Sequence, residues 1–282
     1  MARSPSSSAQ RARQALADRL AELCRDAGHT GATLAAECGW HPSKSSRVMN
    51  ARTLPSADDI RVWARACGAE EQAADLIESL RSAEGMWIGW RRMERTGLRQ
   101  AQERRLPLFE RTYRFRAYSS WFVPGLLQTA AYTEAVLRAV QRRRVAVDDV
   151  AEAVAVRMDR QQVLTEGSRR FAFLVEESVL RNGPCTADAL RAQLDRLLDV
   201  ASRPHVSLGV VPASTSRRRM PVEGFWIFDQ EQVNVELVAG YLTVTEPSEI
   251  AAYEDTFVQL RRQAVYGESL RALVAEVRSG LR

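Results

Sequence analysis

The chain has 282 residues, 45% of them hydrophobic and 27% charged, which is the balance of a globular protein with room for two domains. Its formal net charge of +5 and pI near 9.3 permit a nucleic-acid role without establishing one. No apolar run approaches the roughly 20 residues of a membrane span, the N-terminal MARSPSSSAQRARQ lacks the apolar core of a signal peptide, and Cys24, Cys38, Cys67 and Cys185 show no CxxC spacing; a membrane protein and a zinc protein are set aside, and a cytoplasmic, nucleoid-associated protein is expected.

The positive charge is unevenly placed. Residues 1–82 carry 11 basic and 10 acidic side chains, residues 83–120 carry 9 and 4, and residues 121–282 carry 20 and 21. The excess lies between the two halves of the chain. Residues 1–9 read as a Ser-rich disordered tail. A helix follows, with Leu16, Leu20, Leu23 and Ala27 on one face, and Gly28 ends it. Thr30 is placed to cap a second helix carrying Leu34, Ala35 and Cys38. Gly39 can turn the chain sharply at low cost, and Trp40 plugs the corner. His41-Pro42-Ser43 opens a third helix, with Pro42 at the first helical position where its missing N–H does no harm. That helix runs to Met49, and Asn50 to Ser56 form a loop. A fourth helix carries Ile60, Trp63 and Cys67, and a fifth Ala73, Leu76, Ile77 and Leu80. The first three cysteines fall at apolar helix positions and read as small core residues. Five short-linked helices over residues 10–82 predict an all-α bundle.

The stretch Leu34–Ser56 (LAAECGWHPSKSSRVMNARTLPS) resembles the helix-turn-helix of the lambda-repressor-like, xenobiotic-response-element type, whose second helix enters the DNA major groove. In that family two branched apolar residues anchor the recognition helix. Val48 fills one position, while Ser45 stands where Val or Ile is usual, which predicts looser docking. Ala51 replaces the glycine of the N-G-x-x-x-P-S loop, and Gly31 replaces a glutamine that often reaches phosphate. From Cys38 to Ala57 there is no acidic residue but there are Lys44, the chain's single lysine, Arg47 and Arg52. The bland alternative is a solvated basic surface helix. Position in the helix predicts base contacts from Ser43, Lys44 and Arg47, and phosphate contacts from Thr30, His41, Ser46, Asn50 and Arg52.

Residues 83–116 predict a basic linker helix. Met86, Trp87, Trp90 and Met93 form its apolar stripe, and Arg91, Arg92, Arg95, Arg99, Arg104 and Arg105 cover the rest. Such a helix is a solvated connector, packs its Trp face on a neighbour, or runs along a DNA backbone. Residues 117–282 predict an α+β domain, making the protein α+β overall. Helices are expected over Tyr132–Val140, Val150–Val163 and Leu190–Leu198, and two more close the chain at Ser248–Ala264 and Ser269–Gly280. Strands are expected at Phe171–Val175, Val206–Val211, Gly224–Asp229, Val233–Val238 and Tyr241–Val244.

Within this second half, FVPGLLQTAAY (Phe122–Tyr132), VEESVLR (Val175–Arg181), AQL (Ala192–Leu194) and VSLGVVP (Val206–Pro212) resemble the C-terminal domain of a large actinobacterial family of antitoxin-like transcriptional regulators. The resemblance implies the same N-terminal helix-turn-helix and a small protein partner encoded nearby. The expected function is a sequence-specific transcriptional regulator that binds double-stranded DNA at a pseudo-palindromic operator as a homodimer, the second domain supplying dimerisation, partner or ligand binding. The competing reading is an antitoxin-like interaction module that sequesters the small neighbouring protein, and the polar Ser45 favours it. No catalytic residues, metal or cofactor are expected. His205 is the single histidine of the second half, and the adjacent Glu176 and Glu177 point different ways, one of them expected to cap the helix Ser178–Arg181. Trp121, Phe171, Phe173, Phe225 and Trp226 read as core, with a ligand pocket as the lesser alternative.

Overall fold

The computed structural model describes residues 8–85, 87–145, 147–165, 167–237 and 240–281. The chain divides into two compact units, residues 1–88 with 242–244, and residues 89–241 with 245–282. None of the described helices is long and apolar enough to cross a membrane.

The first unit is the expected bundle: α1 (Ser8–Asp26), α2 (Gly31–Glu37), α3 (Pro42–Met49), α4 (Ala57–Ala66) and α5 (Ala73–Gly85), with a single 3-10 turn at Glu70–Gln72. The predicted tail lies outside the described residues except for 8 and 9, which open α1. Leu16, Leu20, Leu23, Leu34, Val48, Ile60, Trp63, Leu76 and Leu80 form one buried cluster, with Cys24 inside it and Cys38 and Cys67 against it. Trp63 is wholly buried, and its indole N–H donates to the Leu20 carbonyl at 3.2 Å, so its one polar atom is satisfied. Trp40 packs on it with ring centroids 6.0 Å apart. Capping boxes start two helices. Thr30 and Thr33 exchange hydrogen bonds at α2, and Ser56 and Asp59 do so at α4.

The predicted linker is not one helix. The chain makes a short strand, β1 (Trp87–Gly89), then α6 (Trp90–Glu103) and α7 (Leu106–Arg111). The side chains of Met86, Trp87, Trp90, Arg91, Arg92, Met93 and Arg95 lie outside what is described. Gly97 breaks α6 with φ +82°. The Asp149 carboxylate caps the second half of α6 there, accepting from the backbone N–H of Leu98 at 2.9 Å and of Arg99 at 2.8 Å. A Cβ on residue 97 would stand 2.3 Å from Asp149 Oδ2, so only glycine fits both the backbone and the cap. Pro107 then restarts the chain in α7.

The second unit is built on five strands in the order β6-β5-β2-β3-β4. These are β2 (Arg114–Ser119), β3 (Arg170–Glu176), β4 (Val206–Val211), β5 (Phe225–Phe228) and β6 (Gln232–Leu237). β2, β3 and β4 are parallel, and β5 runs antiparallel to both β2 and β6. β7 (Gly240–Val244) follows. The parallel pairs require crossovers. α8 (Ala130–Arg144) and α9 (Val150–Arg160) join β2 to β3, while α10 (Glu177–Arg181) and α11 (Ala187–Ala201) join β3 to β4. α12 (Pro247–Arg261) and α13 (Gly267–Gly280) close the chain. Every strand expected from the sequence is present. The central strand β2 was not expected, because Arg114 and Arg116 break its apolar pattern. Arg116 is accommodated by an ion pair with Glu254 at 2.6 Å. Phe115 is aligned with Phe171 of β3 and Phe228 of β5, and the Phe115 and Phe171 rings stack 4.9 Å apart.

Candidate nucleic-acid interface

α3 presents a short polar face to solvent. Ser43, Ser46 and Arg47 are exposed, as are His41 before the helix and Asn50 and Arg52 after it. His41 takes the N-cap position, its Nδ1 accepting from the Ser43 backbone N–H at 3.3 Å. The Ser43 hydroxyl lies 2.9 Å from that Nδ1 and accepts from Arg47 Nη1 at 3.2 Å. His41, Ser43 and Arg47 therefore form one connected row at i, i+2 and i+6, with the guanidinium held along the helix face. Asn50 Nδ2 donates to the Ser46 carbonyl at 2.7 Å and closes the helix. Thr30 is exposed at the N-terminus of α2. Among the described residues neither Arg47 nor Arg52 meets a carboxylate, which leaves both cations available to an anionic partner.

Lys44 differs from its expected role. Its ammonium sits 2.6 Å from Asp59 Oδ1 and 4.2 Å above the Trp40 ring. Burial alone would raise the Asp59 carboxyl, but hydrogen bonds from Lys44 and from the Ser56 backbone and hydroxyl outweigh it and hold the group below the usual carboxylate range. Lys44 thus ties α3 to α4, and reaching a base would require it to leave both partners. The acidic residue responsible lies just beyond the acid-free stretch Cys38–Ala57, so the local charge pattern concealed it.

Ser45 corrects a second expectation. It is fully buried, and its hydroxyl lies 2.7 Å from the Gly31 carbonyl and 2.9 Å from the Pro42 carbonyl, sharing its one proton between them. The polar anchor therefore docks α3 onto α2 through a directional contact where the family uses an apolar one. Gly31 is the complement of this arrangement. A Cβ there would stand 3.3 Å from Met49 Sδ, so the two departures from the family pattern, at 31 and 45, belong to one close helix contact. Ala51, in the family's glycine position, adopts φ +52°, a left-handed conformation that costs a non-glycine residue about 1–2 kcal/mol. The loop it sits in is held by Arg52 N–H and Thr53 N–H, both donating to the Arg47 carbonyl.

In the second unit the PGLLQT segment is held by amide side chains. Gln193 Nε2 donates to the Leu127 carbonyl at 2.8 Å and its Oε1 accepts from the Thr129 N–H at 2.7 Å. Gln161 Nε2 donates to the carbonyls of Gly125 and Gln128. Gln128, itself buried, donates to the Val123 carbonyl at 2.7 Å and accepts from the Thr133 hydroxyl at 2.9 Å. Neither glutamate of the Glu176-Glu177 pair caps α10 with its side chain. Glu176 accepts from the Tyr118 hydroxyl at 2.7 Å and from Arg217, and Glu177 accepts from the Ala213 N–H at 2.8 Å and from Arg181. These bonds are made to β2, to the segment after β4 and within α10, and they replace the expected cap. His205 lies 2.7 Å from the Leu164 carbonyl. Phe171 and Phe173 are core, whereas Trp121 and Trp226 border a cavity.

Residues 15–77 match a family described as a helix-turn-helix domain, and residues 110–276 match one described as a domain of unknown function, DUF5753. The second match spans more than half of the chain. The chain belongs to the DUF5753 family. Here that domain is joined to a helix-turn-helix, which supports DNA binding in general. No curated protein matches the chain. A solved structure described as TrmBL2, an archaeal chromatin protein with a novel mode of DNA binding, aligns over 80% of this chain and 72% of its own at 10% identity, with a TM-score of 0.34, too low to support any inference.

Proposed function

We propose that this DUF5753 protein is a sequence-specific transcriptional regulator, cytoplasmic and non-catalytic. It reads the major groove with α3 and binds a pseudo-palindromic operator as a homodimer, while its second domain binds a partner or ligand. The observation that carries the reading is the exposed row His41–Ser43–Arg47 on a short helix anchored by the buried Ser45 and Val48, a row that meets no carboxylate among the described residues. Arg47 and Ser43 read bases, arginine being the usual partner of guanine N7 and O6. Thr30, His41, Ser46, Asn50 and Arg52 surround that face and contact phosphate. Lys44 remains with Asp59 and positions the helix.

Binding titrations on a selected operator and its single-base variants test this. Arg47→Ala is expected to cost about 1–3 kcal/mol and to relax preference at one base pair. Lys44→Ala is expected to leave the preference unchanged. Equal sequence preference for Arg47→Ala and the unmodified protein would overturn the assignment. The alternative, a module that chiefly sequesters a small protein, rests on the family resemblance and is favoured by the polar Ser45; the contacts of Ser45 with the Gly31 and Pro42 carbonyls speak against that second point alone.

A further inference from the structure

The second unit holds a partly open cavity of about 350 Å³, within the size range of small-molecule sites. Its walls come from the second half of α6, from α7, α8, the PGL segment and the strands β5 and β6. Most of this lining is apolar, but one part is not. Arg157 and Arg160 of α9 reach the cavity, as does Arg105 between α6 and α7; Glu236 is the one acidic residue of the lining.

Arg157 and Arg160 are 8% and 5% exposed. Arg157 has partners, but they are neutral amides. Its Nε donates to Gln102 Oε1 at 3.2 Å and its Nη1 to Gln128 Oε1 at 3.0 Å. A structural role, bracing the PGLLQT segment through Gln128, accounts for those two bonds. It does not account for Arg160. Arg160 Nε and Nη1 are buried with no hydrogen-bond partner, and its guanidinium lies 4.5 Å from the centroid of the Phe109 ring. Arg105 is half-buried and lies 4.5 Å from the centroid of Tyr241. Among the described residues none of the three forms an ion pair with Glu236. Burial, and then repulsion from Arg105, pushes Arg157 down to about 10, so it is still charged at neutral pH. Burial and the two neighbouring arginines push Arg160 down as well. A buried cation without a counter-charge destabilises a fold, and an apolar side chain of similar volume would pack there without that penalty. Arg157 and Arg160 stand side by side, with Glu236 acting on Arg157 alone of the two and Arg160 keeping two donors without a hydrogen-bond partner, and three arginines against one carboxylate mark a place where further negative charge comes from outside the chain.

We propose that this cavity binds an organic anion with an apolar body. A carboxylate or phosphate head sits on Arg160 and Arg157, with Arg105 at the rim, and the body lies against Phe109, Val136, Val140 and Trp226. Arginine's planar fork suits such heads, since it can give two parallel hydrogen bonds to one oxyanion. The inference rests on the ligand-binding role proposed above for the second domain and gives it a chemical class. It does not depend on what the first domain binds.

Calorimetry and thermal unfolding on the full chain without DNA test it, with decanoate, decyl phosphate and the uncharged decanamide as probes. At least one of the two anions is expected to bind saturably with one site per chain and to raise the melting temperature, and decanamide to bind at least about tenfold more weakly. Arg160→Met is expected to lose at least about tenfold in anion affinity while the unliganded variant melts no lower than the unmodified protein, because an uncompensated charge has been removed. An arginine of purely structural value would show the reverse. Should Arg160→Met fail to fold, Arg160 is structural and this assignment is overturned; Arg105→Ala, at the rim, then still reports on the cavity, with severalfold weaker anion binding expected and an unchanged fold. The proposal is also overturned if neither anion binds, if the amide binds as tightly as the anions, or if Arg160→Met binds them as the unmodified protein does. Operator binding by Arg160→Met without any anion is expected to be unchanged, so failure of the ligand site and failure of the DNA reading are seen separately.

Discussion

Ser45 shows how a single hydroxyl can replace an apolar anchor. A buried hydroxyl is costly unless it is hydrogen-bonded, and here it is placed between two carbonyls, one on each side of the turn. Ser45→Ala is expected to destabilise the docking of α3 by about 1–2 kcal/mol, because the bond is lost and the Gly31 carbonyl is left without it. Amide hydrogen exchange of α3 is the suitable measurement, and about 5- to 30-fold faster exchange is expected. Unchanged exchange would mean that packing by Val48 alone holds the helix. Sequence reading found Ser45 as a departure from a pattern but not its meaning, since its partner lies on a different helix. The same holds for Arg157 and Arg160. At i and i+3 on α9 they carry no reading in the sequence, and only the tertiary fold turns them toward the cavity. His41, Ser43 and Arg47 were legible for the opposite reason, because their neighbours lie within one helix and fixed spacing places them.

Two joints at the scale of elements carry specific expectations. The Lys44–Asp59 pair joins α3 to α4. The folded Asp59 carboxyl is held below its unfolded value, so the pair's contribution is fully present above the ordinary aspartate pKa of about 3.9 and is lost as pH falls through the lower folded value. Compared with Asp59→Asn, the unmodified protein is expected to be more stable by less than about 1 kcal/mol at pH 7 and pH 5, the pair being partly exposed, and to show less of that advantage at a third pH below the ordinary aspartate value of about 3.9. Thermal unfolding at the three pH values checks this; an advantage that grew on acidification would contradict it. The second joint is the Asp149 cap at the break in α6. Gly97→Ala combines a left-handed backbone with a Cβ pressed on the capping carboxylate, and a loss of about 2–4 kcal/mol is expected in denaturant unfolding. The helices of the first unit were readable because 3.6-residue periodicity, caps and glycine stops agree along the chain. β2 was hidden because Arg116 is paired with Glu254 of α12 and bonded to the Asp229 carbonyl at the β5–β6 turn, more than 100 positions away, while Arg114 stays exposed at the strand's start.

At the scale of the whole chain, a helix-turn-helix unit is joined to a DUF5753 unit that holds a cavity lined by Arg105, Arg157 and Arg160. The division of labour proposed for them is reading of sequence by the first and response to a ligand or partner by the second. One helix-turn-helix reads few base pairs, so a dimer is expected to read two half-sites about one helical turn apart. Any arginines of residues 83–120 that lie near a bound duplex are expected to add affinity that does not depend on sequence and falls with salt. Specific recognition by α3 must therefore be separated from this background. Selection of genomic fragments by the purified full chain at low and near-physiological salt does so. Enrichment of one short inverted repeat at both salt concentrations, lost on Arg47→Ala, is the expected result. Fragments retained only at low salt, with no shared motif, would contradict sequence-specific reading by α3.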